Sequence, residues 1–514
     1  MPTFFSTDLL ILVLFVVGIG YFSLRTTRAS LTVEEYFFAD KTLTWPVIGI
    51  TIIASNISTE HFVAQAGDGY KVGLAYASYE WTASLVMIFV ALVVLPKFLR
   101  AGIRTLPEYL EYRYNHNTRL IMAIVVVLIY IWVLLPSVIY LAAVTLNGIF
   151  KINIYMFILF IGIVSGVFSV FGGLNSVVKA NIIFGILILL GGAIISLLGL
   201  IKVGGMSEFV KLNPHRLTSI LPADDTRLPW TNVFLGGLWV LHYNYWCANQ
   251  FIVQHSLASK TLSEGQKGLL FAATIKLFIP FLIIIPGIMG YNFFGTSLMD
   301  DTDKVFLNLI NLLIPDGLKG IFLAILIGAA ISTLHSQVHA ATSIFSLDIF
   351  QRFINKEASD QKLVRTGRFF AIGLLAFACI RASFLTNSGG EDFYELIQRF
   401  WGYVAPALVI LFSAGVLGRK SHALAANAIL LLNPIIYHLC LLYLDESWSL
   451  LDKIGITWVV LMCIYIGLYF VFKLETPRAI PERNSEIKFE RNLVVFIWSI
   501  FIFSAIAALY LVFI

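Results

Sequence analysis

The sequence predicts an all-α integral membrane protein. Of its 514 residues, 59% are hydrophobic and only 13% are charged, and the mean hydropathy is +0.87. A soluble chain carries about a quarter charged residues. Apolar runs of the roughly 20 residues that cross a bilayer recur from one end of the chain to the other. These observations exclude a soluble enzyme or a nucleic-acid-binding domain, despite the net charge of +5.

Taken in order, about fourteen transmembrane helices are expected, near 5–24, 45–67, 73–98, 119–150, 154–172, 180–201, 231–251, 266–293, 318–350, 365–384, 394–417, 420–443, 455–473 and 492–513. The chain reads as a single transmembrane domain over 1–514, because no soluble segment interrupts the helices. The first run has no basic leader and no small-residue cleavage site, so it is a retained helix. The longest gap, 202–230, holds Pro214, Pro222 and Pro229 and reads as an ordered external loop. Cys247, Cys379, Cys440 and Cys463 lie in apolar segments and read as packing residues. Basic residues such as Arg25, Arg28, Lys97, Arg100, Arg104, Arg113, Arg119, Arg352, Lys356, Arg365 and Arg478 fall on alternate loops. The positive-inside bias then puts those loops in the cytoplasm and both termini outside the cell membrane.

Polar groups at membrane depth are expensive and mark function. Glu80 in GLAYASYEW and Lys276 in FAATIKLFIPF are flanked by apolar turns and cannot easily snorkel to the interface. They are expected to face one hydrated cavity and balance each other; a purely structural ion pair is the plainer alternative. His61, His242, His335 and His339 lie at similar depth. In the second helix Ser55, Asn56, Ser58 and Thr59 compete for backbone hydrogen bonds. An unwound turn there would free carbonyls beside a cavity or an ion. Ser332 and Thr333 in the ninth helix could add hydroxyl oxygens for a hard cation. Adjacent hydroxyls also serve as packing glue between membrane helices, so composition leaves both roles open.

The chain resembles the sodium:solute symporter family, in its sodium/glucose cotransporter branch, over about residues 8–475. The resemblance rests on ASNISTEHF (54–62), GLAYASYEW (73–81), RTLPEYLEYRY (104–114), FGGL (171–174), GGLWVLHYNYWCANQFIVQHSLA (236–258), IKLFIPFLIIIPGI (275–288), AAISTLHS (329–336), SLDIF (346–350) and ELIQRFWGYVAP (395–406). It implies a leucine-transporter-type core of two inverted five-helix repeats over about 45–417, with extra helices at about 5–24 and 420–513. It also implies a coupling Na+ held by carbonyls of Ala54, Ile57 and Ala329 and hydroxyls of Ser332 and Thr333. The sugar site it implies is lined by His61, Glu80, His242, Lys276 and Gln398, with Tyr245 stacked on the pyranose as inner gate. Trp246 follows that tyrosine, and Tyr79 and Tyr394 border the same cavity. A carboxylate, an ammonium, an amide and an aromatic face suit a ring of hydroxyls with an apolar CH side.

Two departures from the family pattern stand out. Where some members hold a further sodium with an aspartate and hydroxyls, this chain has Asn181 and His335 beside Ser332 and Ser336. One sodium per sugar is therefore expected. The histidine pair His61 and His242 replaces amides common in relatives, which leaves the sugar open. The expected function is sodium-driven import of a hexose such as glucose or galactose by alternating access, with inositol, sialic acid or another polar solute as alternative. A membrane-embedded enzyme lacks a nucleophile motif or HExxH spacing here, and a sensor or channel lacks an output domain or a continuous polar pore. Oligomeric state is not legible.

Overall fold

The computed structural model describes residues 7–25, 32–385, 393–418, 421–445, 447–472, 480–481, 483–484 and 492–513. The regular structure of the described residues is helical, with two isolated β-bridges. The principal helices are α1 (Thr7–Arg25), α2 (Trp45–Asn56), α3 (His61–Lys71), α4 (Leu74–Ala101), α5 (His116–Phe150) and α6 (Ile154–Val203). They continue with α7 (Gly237–Cys247), α8 (Gln250–Leu257), α9 (Leu262–Phe294), α10 (Lys319–Ile354) and α11 (Asp360–Leu385). The last are α12 (Phe393–Gly402), α13 (Ala405–Leu417), α14 (Ala423–Tyr443), α15 (Leu450–Val471) and α16 (Leu493–Val512). Nine described helices are long and apolar enough to cross a membrane, or eleven if α2–α3 and α12–α13 each form one bent span.

The expected segments fall on these helices, with differences of continuity at 231–251 and 394–417. The run expected at 231–251 is divided into Trp230–Phe234, α7 and α8. The runs at 154–172 and 180–201 remain two helices within α6, parted by a break at Gly173 whose φ of 58° and ψ of −169° are not helical. A Cβ at Gly173 would stand 2.8 Å from the carbonyl oxygen of Tyr36, so glycine suits both the angle and the contact. The run at 394–417 bends by 52° between α12 and α13.

The sharpest break is the 69° bend between α2 and α3. There the amide of Ser58 donates to Nδ1 of His61 (3.4 Å), and the amide of Glu60 donates to Ser58 Oγ (3.1 Å). The polar side chains take over bonds that a continuous helix would make with its own carbonyls. Gly287 lets α9 approach this region closely, since a Cβ there would fall on the carbonyl of Ala66.

Helix α10 forms the centre. Of its most apolar window 89% is buried, and it packs against α1, α2, α5, α6, α8 and α11. By contrast α16 exposes Phe496, Ile497, Phe501 and Leu511, the surface expected where lipid is the solvent. At one end of the bundle Asp8 of α1 accepts from the amide of Gly320 (2.7 Å), which starts α10. The same end carries the 202–230 segment: Leu74 donates to the carbonyl of Arg216 (2.8 Å), and Ser219 to that of Phe513 (2.6 Å).

The basic loops meet at the other end. Arg104 pairs with Glu34, Arg119 with Glu111 and Asp348, Arg352 with Glu111, and Arg483 with Glu108. Burial acts to raise the Glu111 carboxyl, but hydrogen bonds from Arg352 and Arg119 outweigh it and hold the group below its ordinary value.

Candidate functional site

Both interrupted stretches, α2–α3 and α7–α8, border one cavity. Polar and aromatic groups share its wall, as small-molecule pockets require. The structure brings His61, Tyr79, Glu80, His242, Tyr245, Trp246, Lys276 and Gln398 together around it. The side chain of Tyr394 lies outside the described residues.

Glu80, near the start of α4, and Lys276, in the middle of α9, form a salt bridge with side chains 3% and 2% exposed. An isolated charge at this depth would be strongly destabilising. Here each is further satisfied. Gln65 Nε2 donates to Glu80 Oε1 (3.0 Å), and Lys276 Nζ donates to Asn56 Oδ1 (3.0 Å). The indole of Trp246 lies 4.9 Å from Nζ, within cation–π range. Asn56 also donates from Nδ2 to the hydroxyl of Tyr245 (3.0 Å), whose ring packs on Trp246 and Phe251. Tyr79 meets His242 edge-on with centroids 6.3 Å apart. Leu134, Leu241, Ile397 and Trp401 supply the apolar part of the wall.

The candidate ion position lies behind this cavity, where α2 breaks against α10. Ala54, Ile57, Ala329 and Ser332 are fully buried and Thr333 nearly so. Ser332 Oγ stands 2.7 Å from the carbonyl oxygen of Ala54 and 2.8 Å from Asn181 Oδ1. Its one proton can serve one of them at a time. Thr333 Oγ1 has no protein partner although it is buried. An oxygen-rich, proton-poor cluster of this kind fits a hard monovalent cation such as Na+. Thr333 also lines the cavity, so ion and solute positions share a wall.

Around Asn181 the hydrogen bonding is closed. Its Nδ2 donates to Ser55 Oγ (3.0 Å) and Ser336 Oγ (3.2 Å), and those hydroxyls are 2.7 Å apart. Ser55 further bonds the carbonyl of Thr51 and Nε2 of His255.

Sequence reasoning missed several groups in and behind the cavity wall. Asn56 reads in sequence only as a helix breaker, yet it joins Lys276 to Tyr245. Gln65, which holds Glu80, carries no local signal of that role. Gln337 lines the cavity four residues after Thr333, a spacing that puts both on one helix face and is legible in the sequence.

Residues 36–426 match the Sodium:solute symporter family. The chain belongs to that family. A sodium/glucose cotransporter of Vibrio parahaemolyticus is 33% identical to the symporter, over 98% of this chain and 97% of that protein. A sodium/myo-inositol cotransporter of Mus musculus is 27% identical, over 79% of this chain and 62% of that one. The solved structure of a Na+-coupled sialic acid symporter in a substrate-bound outward-open state superposes with a TM-score of 0.82. It covers 92% of the symporter and 100% of that chain at 18% identity, which is a likeness of fold. The protein is thus a membrane transporter that couples a small solute to sodium, and not an enzyme.

Proposed function

We propose that the symporter imports a neutral sugar, a hexose such as glucose or galactose, with one Na+ per sugar by alternating access in the cell membrane. The observation that carries the reading is the buried Glu80–Lys276 pair set in a cavity wall with Asn56 and Gln398, the carboxylate being held from behind by Gln65. Such a wall accepts from hydroxyls at the carboxylate and donates to them at the ammonium and amides. Tyr245 and Trp246 supply a flat face for the CH side of a pyranose.

Sodium bound at Ala54, Ile57, Ala329, Ser332 and Thr333 would order the α2 break and with it Asn56, which touches the solute wall. That link supports positive coupling between ion and sugar. The roles of His61, Tyr79, His242, Tyr394 and Gln398 as solute contacts belong to the same proposal. So do the fourteen spans, the inverted repeats and the placing of both termini outside. Single-ion coupling rests on the closed network at Asn181, whose amide leaves no carboxylate for a further cation.

One ion is energetically sufficient. Moving one charge through about 100 mV releases about 2.3 kcal/mol, and a roughly tenfold sodium gradient adds about 1.4 kcal/mol. Together they sustain a sugar ratio of a few hundred.

Inositol, another neutral polyol, satisfies the same wall and is the second reading. A sialic acid or other carboxylate would bring a further anion beside Glu80. Counterflow of radiolabelled hexoses, inositol and sialic acid into proteoliposomes, with sodium or choline outside, decides among them. Hexose exchange that depends on sodium is expected; exchange of sialic acid alone overturns the reading.

A further inference from the structure

The two cavity histidines are fixed by their protein partners in a way that defines what each offers a solute. Thr82 Oγ1 lies 2.6 Å from the carbonyl oxygen of Ser78 and 2.8 Å from Nε2 of His242. A hydroxyl has one proton, and a carbonyl can only accept, so that proton goes to Ser78. Thr82 must then accept from His242, which places a proton on Nε2. In the neutral ring Nδ1 is bare. At His61 the contact is with a backbone amide, which can only donate. The amide of Ser58 donates to Nδ1 (3.4 Å), so that nitrogen is bare and the ring proton sits on Nε2. The Ser78 carbonyl is a second acceptor for the His242 ring, no further side chain bonds Nδ1 of His242 or Nε2 of His61 among the described residues, and both buried rings line the cavity.

We propose that His61 and His242 are a matched donor–acceptor pair that selects the solute: both carry the proton on Nε2, yet His61 turns its N–H and His242 its lone pair to the cavity. This inference rests on the cavity being the solute site. The pair demands one solute oxygen that accepts at His61 and one hydroxyl that donates at His242. A neutral polyhydroxylated ring meets both demands. A solute presenting only acceptors leaves His242 unmet, and one presenting only ammonium groups leaves His61 unmet. Rejection of analogues lacking a required proton is the strong form of specificity, because the protein's own polar atom is then stranded. Where amides would adapt by rotating, these rings cannot exchange roles without breaking the bonds to Thr82 and Ser58.

Two measurements test the pair. Nitrogen-15 NMR of histidine-labelled protein in lipid, assigned by difference with His61→Gln and His242→Gln, should find Nε2 protonated and Nδ1 bare in both rings. A proton on Nδ1 of either overturns the proposal. For the exchanged solute, monodeoxy and deoxyfluoro analogues are compared at each hydroxyl, since fluorine accepts weakly and cannot donate. At one hydroxyl the deoxy analogue alone should bind about tenfold more weakly, and at another both analogues should. The first penalty should vanish in His61→Phe and the second in His242→Phe; penalties that survive both substitutions overturn the pair. The expected ring protons together with no exchange of any polyol would overturn the sugar reading and leave the pair standing. Polyol exchange with a protonated Nδ1 would do the reverse.

Discussion

Lys276 Nζ and Asn56 Oδ1 stand 3.0 Å apart, so the solute wall is bonded to the last residue of α2, two residues after Ala54 and one before Ile57. An ammonium that neutralises Glu80 thereby also senses the turn that supplies the candidate ion carbonyls. In the proposed symport the pair thus lies between ion and solute as well as burying its own charge.

Glu80→Gln keeps shape and most packing while removing the carboxylate. Losing a hydrogen bond to a charged group costs roughly 1.5–3 kcal/mol, about ten- to a hundredfold in affinity. The variant is expected to express well, retain sodium binding and bind sugar at least about tenfold more weakly. Unchanged sugar affinity in the folded variant, measured by competition for uptake, would move the solute site elsewhere.

Changing Ser332 and Thr333 together to Ala removes both candidate hydroxyl ligands. Thr333 Oγ1 has no protein partner and Ser332 gives up a single proton shared between Ala54 and Asn181, so folding and insertion should largely persist while sodium-driven accumulation disappears. Full sodium dependence in the double variant would refute the assignment.

Sodium flux and sugar-dependent charge movement, measured together, should give a ratio near one. Asn181→Asp replaces an amide that donates to Ser55 and Ser336 by a carboxylate that cannot. Its sodium dependence should become steeper as the serine hydroxyls turn toward a second cation. A wild-type ratio near two would show that the amide network tolerates that cation already.

Glu111 predicts a pH effect at the basic end. Its carboxyl is held below the ordinary value of about 4.3, so its ion pairs stabilise fully above that pH and are lost as pH falls through the lowered value. The difference in thermal stability between the protein and Glu111→Gln should be complete at neutral pH and shrink on strong acidification. A difference independent of pH would mean that packing, not charge, is lost.

The helices were legible because an apolar run of about 20 residues has the length of a bilayer crossing and rarely suits anything else. The α2 break was legible too, since its competing side chains are adjacent in sequence. The break between α12 and α13 was not. Asn433 of α14 accepts from the amide of Ala407 (2.8 Å) and donates to the carbonyl of Gly402 (3.0 Å), so a residue about a helix away satisfies it. The same holds at Asn249, between α7 and α8, which accepts from the hydroxyl of Tyr130 (2.8 Å). Local propensity carries no trace of such partners. The site followed the same rule. Glu80 and Lys276 announced themselves by charge at depth, whereas Gln65, Thr82 and Asn56 matter through partners that only the fold supplies.

Asp8 caps Gly320 across 312 positions of chain. At the usual pace of synthesis, about 5–20 residues per second, α1 leaves the ribosome roughly 15–60 seconds before its partner exists. During that interval its carboxylate stands at the membrane edge with the first turn of α10 still unmade. Helix α1 can pack on α6 during that interval, but its cap on α10 closes only when Gly320 has been made.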